Sequence, residues 1–394
     1  MLGNIFCLFP FGKKRDLHIL SDPIEAVGIY SFKQVDLINN ISKDIEAKSS
    51  VKEWLDKSES DKFIFITHFF YELGHLKYED QNNYLNKDTM LGIGLKFPKS
   101  AFKKFHTDIQ KEKIYLNKQN FVGFEEYEKA FEAGKKELME GNCYQFNLTY
   151  PFRATSDNLT KESIVTNFSQ VQKSKRGKFS MLTYIHPLNK AIWSNSPESL
   201  FQLIRGKTKT IIQTLPIKGT LSLEEAGSKQ AAWAKLSSSE KDQAELYMIT
   251  DLLRNDLNMI GEPTCRVIRK KVPLIAPGIM HQMSLIEIEL SPDVSLSKII
   301  DSLFPGGSIT GAPKRRVMEI INRLENRARG AYCGSTILSI GNRIDCSINI
   351  RTAEIDLSRK ELTYGAGGGI TVLSEPRGEY EEMLLKLESF YSLF

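Results

Sequence analysis

The order of strand-like and helix-like segments is the feature that most limits what this chain can fold into. Runs rich in β-branched and aromatic residues predict strands at 63–70, 181–185, 208–213, 331–339, 344–350 and 361–364. A smaller number of helices is predicted at 124–141, 240–255, 313–329 and 378–391. Strands interrupted by a few helices indicate a mixed α/β (α+β) fold with largely antiparallel sheets.

Composition limits the class of protein. The chain has 394 residues, of which 41% are apolar and 26% charged, which is typical of a globular protein with a sizeable core. The net charge of +5 is small and the basic residues are dispersed, so nucleic-acid binding is not favoured. Five cysteines at wide spacing, without a C-x-x-C pair, indicate free thiols in a reducing compartment. The apolar first ten residues precede their basic residues, unlike a secretory signal, so we expect a cytoplasmic protein without a membrane anchor.

Two glycine-rich runs are candidate anion sites. Residues 304–314 (FPGGSITGAPK) form a polar loop that enters a predicted helix, a geometry that favours an anion. A nucleotide P-loop is excluded because Ala312 and Pro313 stand where Lys-Ser/Thr is required, and a hydrolase elbow because Thr310 replaces the second glycine after Ser308. Residues 365–369 (GAGGG) follow a predicted strand, and their amides could converge on an anion. Ordinary turns remain the alternative for both runs.

The last predicted helix carries a candidate metal site. Glu379, Glu382 and Lys386 are spaced i, i+3, i+7 and therefore share one face. Carboxylate oxygens are natural ligands of Mg²⁺, which takes few protein ligands and keeps several waters. Glu245, on the predicted 240–255 helix, could complete such a site. A solvated helix face with an ion pair between Glu382 and Lys386 is the alternative reading.

Single residues elsewhere suggest substitution chemistry on an anionic substrate. Lys218 lies between Ile217 and Gly219, where partial desolvation would favour its neutral, nucleophilic amine. Glu198 is a candidate general acid, and Arg351, in a predicted alternating strand, could clamp a carboxylate. Taken alone, each is equally compatible with a surface charge.

The order of these elements resembles the family of chorismate-utilising enzymes. The resemblance covers about two-thirds of the chain, from residue 124 to the C-terminus. It includes residues 141–148, 196–198, 216–220, 251–256, 304–314, 347–352, 365–369 and 378–382. The family implies a β-sandwich like that of anthranilate synthase component I. Residues 1–116 would complete the sandwich without being an independent domain, and residues 117–394 would form the chorismate-binding catalytic region.

Two positions separate members of this family. The isochorismate and salicylate synthases carry a water-activating lysine where this chain has Gln145, which implies ammonia as the nucleophile. Anthranilate synthases carry alanine where Lys218 stands, whereas the Pro-Ile-Lys-Gly-Thr form resembles the aminodeoxychorismate synthases. The implied reaction converts chorismate and ammonia to 4-amino-4-deoxychorismate, for para-aminobenzoate and folate synthesis. Anthranilate synthase component I and a non-catalytic, regulatory chorismate-binding protein remain alternatives.

The resemblance also implies roles for individual residues. Lys218 would be the covalent nucleophile and Glu198 the acid, with Mg²⁺ on Glu245 and Glu382 and, through water, Glu379. Contacts to the substrate are implied for Gln145, Gly219, Thr220, His281, Thr310, Arg351, Gly367, Gly368, Gly369 and Lys386. No glutaminase segment is recognisable, so a separate glutaminase subunit is the implied source of ammonia. The Leu-Leu-Glu-Ser-type segment linked to tryptophan binding in anthranilate synthases is not found.

Overall fold

The computed structural model describes residues 2–106, 114–119, 121–261, 265–276 and 279–394. Within these residues the strands are β1 Ile5–Phe11, β2 Asp16–Ser21, β3 Glu25–Tyr30, β4 Lys33–Asp36, β5 Ile41–Asp44, β6 Phe63–Phe69, β7 Met90–Pro98, β8 Lys103–Lys104, β9 Asn117–Lys118, β10 Gln145–Thr155, β11 Phe179–Ile185, β12 Lys190–Ser196, β13 Ser199–Arg205, β14 Thr210–Thr214, β15 Ile217–Ser222, β16 Arg266–Ala276, β17 Ile279–Leu290, β18 Gly311–Ala312, β19 Ser335–Ile340, β20 Arg343–Ile348, β21 Thr352–Asp356 and β22 Glu361–Ile370. The α-helices are α1 Ala47–Lys57, α2 Phe124–Met139, α3 Lys161–Gln170, α4 Leu223–Ala226, α5 Lys229–Ser238, α6 Glu240–Asn258, α7 Leu296–Leu303, α8 Lys314–Glu325 and α9 Pro376–Tyr391. Short 3₁₀ segments lie at Tyr71–Lys77, Glu79–Tyr84, Lys99–Ala101, Lys173–Lys175 and His186–Leu188.

These strands form two antiparallel sheets. The first has the order β18-β10-β22-β21-β12-β11-β1-β2-β8, with β9 beside β10. The second has the order β15-β17-β14-β13-β20-β19-β6-β7-β3-β4-β5, with β16 beside β17. This arrangement, flanked by helices, confirms the expected mixed fold of largely antiparallel sheets.

Strands from the first hundred residues pair with strands that lie far downstream in the chain. β1 pairs with β11 in the first sheet, and β6 pairs with β19 in the second. The first hundred residues therefore contribute strands to both sheets, beside strands that lie far downstream. That residues 1–116 are unable to fold by themselves remains a prediction.

Strand β6 shows why the apolar runs form buried strands. Its alternate residues Phe65 and Phe69 belong to one apolar cluster, and Ile64 and Ile66 belong to another. Successive side chains of a strand point to opposite faces, so a strand covered on both faces reads as a continuous apolar run. The run FIFITHF therefore lies at the centre of the second sheet.

Three predicted boundaries are wrong. Strand β19 begins at Ser335 rather than residue 331, because Cys333 has a φ of +63° and the segment before it turns. Gly365–Gly369 does not form a loop after a strand but continues β22. Arg351 lies outside any strand, between β20 and β21, with a φ of +51°. The predicted helices at 124–141, 240–255, 313–329 and 378–391 are confirmed as α2, α6, α8 and α9.

Candidate active site

Glu198 lies where the chain crosses from the first sheet to the second. Residues 196–198 join the end of β12 to the start of β13, and the Ile348 amide donates to the Glu198 carbonyl oxygen at 3.1 Å. Burial raises the pKa of the Glu198 carboxyl, and the nearby Ser308 hydroxyl and Lys218 ammonium oppose that effect only in part. A carboxyl group in this environment retains its proton at higher pH than usual and can serve as an acid.

Lys218 lies close to this carboxyl and pairs with another. Strand β15 packs against α6, and the Lys218 Nζ is 3.1 Å from Glu245 Oε2. The two side chains are only 18% and 15% exposed. The amine is thus largely shielded from solvent, beside a carboxylate that can accept its proton and within electrostatic reach of Glu198.

His281 lies beside the residue that follows Lys218, and Arg351 lies near His281. Gly219 has a φ of +64°, a conformation that favours glycine, and its carbonyl oxygen is 3.1 Å from His281 Nδ1. Burial lowers the pKa of His281, the contact with the Gly219 carbonyl oxygen opposes this effect, and the nearby Arg351 guanidinium adds to it. The side chain of Thr220 lies outside the described residues.

A second group of predicted residues gathers on β22 and α9. The Lys386 Nζ donates to the Gly367 carbonyl oxygen at 2.8 Å and pairs with Glu382 at 2.9 Å. A Cβ added at Gly368 would lie 3.2 Å from Glu379 Oε2, so the glycine allows the helix charges to approach the strand. The N–H and C=O groups of one strand residue point to the same side of the strand. The Gly367 carbonyl oxygen points toward Lys386, so the N–H groups of Gly367 and Gly369 also point to that side and away from β10.

Gln145 is buried beside these glycines without a hydrogen-bond partner. Its side chain is fully enclosed, and neither Nε2 nor Oε1 has a partner among the described residues. A Cβ at Gly369 would lie 2.3 Å from Gln145 Nε2. Buried polar groups are nearly always paired, so this unpaired amide is a candidate ligand contact.

The 304–314 run connects the two groups of residues. Gly311 and Ala312 form β18, which pairs with the start of β10 at Gln145. The Asn147 amide donates to the Thr310 carbonyl oxygen at 2.8 Å, and the Thr310 hydroxyl donates to the Gly306 carbonyl oxygen at 2.9 Å. Ser308, in the same run, faces Glu198.

The lysine that ends this run is engaged in the core. Lys314 Nζ pairs with Asp256 at 2.7 Å and donates to the carbonyl oxygens of Ser302 and Leu303 at 3.4 and 2.9 Å. Its side chain is 6% exposed. The charge of Lys314 is therefore used to hold the loop against α6 and α7, and does not add to an anion site.

The three predicted metal ligands do not form one cluster. Glu245 pairs with Lys218, whereas Glu379 and Glu382 lie together on α9. Among the described residues no group of three or more His, Cys, Asp or Glu side chains is arranged to hold a metal. The two α9 carboxylates beside the glycine strand still fit Mg²⁺, since one or two carboxylates commonly hold this ion together with waters and substrate.

Sequence reasoning missed a buried ion pair that supports both groups. Arg329 pairs with Glu325 at 2.7 Å and donates to the carbonyl oxygens of Ile309 and Asn147 at 2.8 and 2.7 Å. It thereby fixes the 304–314 run against β10. The i, i+4 spacing of Glu325 and Arg329 is the sequence signal that could have found it.

Two further residues at the site were also missed. Ser308 was considered only for a hydrolase elbow, and Asp242 was not considered as a contact. A Cβ at Gly219 would lie 3.0 Å from the Asp242 carboxyl carbon. Asp242 precedes Glu245 by three residues on α6, so helical spacing was the available signal.

The fold places these residues in two groups, one where the chain crosses between the sheets and one along the glycine-containing strand β22. The model of the chorismate binding enzyme family matches residues 10–392, and the chain belongs to that family. It is 38% identical to aminodeoxychorismate synthase component 1 of Salmonella typhimurium over 265 residues, or 66% of this chain and 56% of that protein. It is 35% identical to the Escherichia coli protein of the same name over 302 residues, or 72% of this chain and 64% of that protein. The match thus spans less than two-thirds of these curated relatives.

Solved structures agree on the fold. Anthranilate synthase component I from Streptococcus pneumoniae superposes with a TM-score of 0.75 at 20% identity, over 99% of this chain and 93% of that one. A putative 2,3-dihydroxybenzoate-specific isochorismate synthase from Bacillus anthracis gives 0.70 at 17% identity, over 99% and 96% of the two chains. In the part of the chain that the structure describes, no helix is long and apolar enough to cross a bilayer.

Proposed function

We propose that this chain is the chorismate-aminating component of an aminodeoxychorismate synthase, which forms 4-amino-4-deoxychorismate from chorismate and ammonia. The observation that carries the proposal is that Lys218, largely shielded from solvent, pairs with the Glu245 carboxylate at 3.1 Å and lies within electrostatic reach of Glu198, whose pKa burial raises. The similarity to two proteins named aminodeoxychorismate synthase component 1 supports it. A role in para-aminobenzoate and folate synthesis would follow.

The first half of the reaction needs a free amine and an acid. Lys218 gives a proton to Glu245, and its nitrogen lone pair then forms a bond to ring carbon C2. The C1=C2 and C5=C6 double bonds shift to C1=C6 and C4=C5, and the C4 hydroxyl leaves as water with a proton from Glu198. Covalent catalysis of this kind divides one difficult substitution into two easier ones.

The second half reverses the shift. Ammonia attacks C4, the double bonds return to their first positions, and the Lys218 amine leaves C2. The new ammonium group gives a proton back to Glu198, which restores the acid. The net change is the replacement of the C4 hydroxyl by an amine with release of water.

The remaining predicted residues would hold the substrate. Arg351, Lys386 and the Gly367 and Gly369 amides are suited to a carboxylate, and the unpaired Gln145 amide is suited to ammonia or the departing water. Mg²⁺, when bound, would neutralise the ring carboxylate, and Glu379 and Glu382 would hold it.

The source of ammonia is part of the proposal. We infer that a separate glutaminase subunit delivers it and that free ammonia can replace that subunit in vitro. Relatives named component 1 of a synthase support a second component.

Product identity tests the proposal directly. The protein is incubated with chorismate, Mg²⁺ and an ammonium salt, and the products are separated and identified by mass spectrometry. 4-Amino-4-deoxychorismate as the main product is expected. Anthranilate or isochorismate as the main product would contradict the assignment, and binding of chorismate without turnover would favour a regulatory protein.

A further inference from the structure

A second cavity lies apart from Lys218, between α1, α7 and the 3₁₀ segment Tyr71–Lys77. Its volume is about 510 Å³, which is within the usual range for sites that bind small molecules. Its floor is apolar and includes Leu55, Leu73, Ile300 and Phe304, all of them buried. A ring of six carbons would find van der Waals contacts on this floor.

Two lysines on the cavity wall form no close ion pair with another described residue. Lys48 and Lys77 line the cavity, and among the described residues neither forms an ion pair within 4.0 Å. Lys52 on the same wall is different, because it pairs with Asp56 at 2.7 Å. Burial lowers the pKa of Lys77, the nearby Lys314 ammonium adds to that effect, and the Asp256 and Asp301 carboxylates oppose it.

The acidic residues of the wall do not balance these charges. Glu46 caps α1, and its carboxylate accepts the backbone N–H groups of Lys48 and Ser49. Asp301 is the other acid that lines the cavity, and it lies near enough to Lys48 and Lys77 to feel both charges. Glu46 also feels the charge of Lys48, but among the described residues neither Lys48 nor Lys77 has a carboxylate within 4.0 Å, so a ligand carboxylate placed between them would pair with both.

The cavity adjoins the loop that forms the candidate active site. Phe304, on its floor, is the first residue of the 304–314 run. Gly74, which also lines it, packs against the next residue, since a Cβ added at Gly74 would lie 2.9 Å from Pro305 Cδ. A ligand here would contact the same loop that carries Ser308 and Thr310.

We propose that this cavity is a second ligand site that takes a small cyclic or aromatic carboxylate. The carboxylate would lie between Lys48 and Lys77, and the ring would lie on Leu73, Ile300 and Phe304. That this is the chemical class of the enzyme's own substrate and products rests on the proposed function, whereas the binding itself does not.

Calorimetric titration of the whole chain with 4-aminobenzoate tests the proposal, with 4-aminobenzamide as the uncharged probe of the same shape. We expect 4-aminobenzoate to bind, and the Lys48→Met/Lys77→Met variant to bind about tenfold or more weakly, as expected on losing charge-assisted hydrogen bonds. Lys43→Met, which replaces an exposed lysine of β5 outside the cavity, should bind as the unmodified chain does. The amide probe should bind at least about tenfold more weakly for the same reason.

A second variant separates this cavity from the catalytic cleft. Binding that survives in the double lysine variant but is lost in Arg351→Ala would place the probe in the cleft and overturn the proposal. Equal binding of the amide probe would overturn it as well. Should the double variant unfold, Lys48→Met alone changes only an exposed side chain and should still weaken binding. None of these titrations needs turnover, so a failure of the proposed reaction would be seen separately in the product assay.

Discussion

Two lysines face the same helix, and they differ in what surrounds them. Lys218 pairs with Glu245 and Lys314 pairs with Asp256, and both acids lie on α6. Lys314 also donates to two carbonyl oxygens, so its ammonium group has three neighbouring acceptors. In the described part of the chain, Glu245 is the one ion-pair partner of Lys218.

Under the proposed function, the number of neighbouring acceptors separates the two lysines, with Lys314 structural and Lys218 reactive. An ammonium group held by three acceptors in the core has no free direction from which a substrate could approach. One that is held by a single carboxylate can pass its proton to that partner and attack. Both lysines stand in runs that mark the family, and the resemblance assigns a role only to Lys218.

The largest expected effect is the loss of catalysis in Lys218→Ala. Removal of the nucleophile should lower turnover by about three orders of magnitude or more, because no other group can form the covalent bond. Intact-protein mass spectrometry during turnover should show an adduct on the unmodified chain and none on the variant. A variant that retained normal turnover would end the distinction between the two lysines.

Replacement of the acid should have the next largest effect. Glu198→Gln should lower kcat by about 100-fold or more, the usual contribution of a general acid. Because burial raises the pKa of Glu198, activity should decline at alkaline pH as that carboxyl loses its proton. The pH–rate profile of the variant should lack this decline, whereas a profile unchanged in shape would assign the proton to another group.

Lys314→Met should affect stability rather than chemistry. Removing one partner of a buried pair leaves an uncompensated charge on Asp256, which should lower the free energy of unfolding by about 3–5 kcal/mol. Urea unfolding measures the change, with Lys218→Met as the matched control. The double variant Lys314→Met/Asp256→Leu should recover part of the loss. Equal destabilisation by both single variants would remove the contrast between the two pairs.

The buried carboxyl group of Glu72 should have a smaller effect on the free energy of unfolding, and that effect should depend on pH. Burial raises the pKa of Glu72 from 4.5 to about 7, although it accepts N–H groups of Arg329 and Gly330. The folded protein therefore binds more protons than the unfolded chain between these values. Stability should fall by about 3 kcal/mol as pH rises through that window and then level off.

The control for Glu72 is a glutamate in solvent. Glu72→Gln should remove the decline between pH 4.5 and 7, and Glu53→Gln, an exposed position on α1, should keep it. Chemical denaturation at several pH values measures both. A decline that persists in Glu72→Gln would show that the buried carboxyl is already ionised in the folded state.

Much of the fold was predictable because burial leaves a local pattern. The apolar run at β6 and the amphipathic pattern of α2 both predicted their elements. The glycine run at 365–369 was placed in a loop because glycine disfavours strands when considered locally. The run is in fact part of strand β22. A side chain at Gly365, Gly367 or Gly369 would come within 2.1–2.3 Å of a neighbouring atom, so close packing selects glycine at these positions.

The site was predictable as a set of residues but not as a geometry. Lys218, Glu198 and Glu245 were all named from motifs, yet the pairing of Lys218 with Glu245 was not foreseen. Arg351 was assigned to a strand, and its left-handed backbone conformation between two strands was not visible in the alternating pattern. The first feature depends on the packing of β15 against α6, and the second on how the chain passes from β20 to β21, and neither is contained in a local pattern.

By itself the sequence determined the family, the alternation of strands and helices, and which side chains carry chemistry. Only the tertiary structure decided that Lys314 has three neighbouring acceptors whereas Lys218 has an ion pair with Glu245, and that this expected metal ligand does not join Glu379 and Glu382. The physical reason is that residue type fixes what a group can do, whereas desolvation and the number of neighbouring acceptors fix what it does.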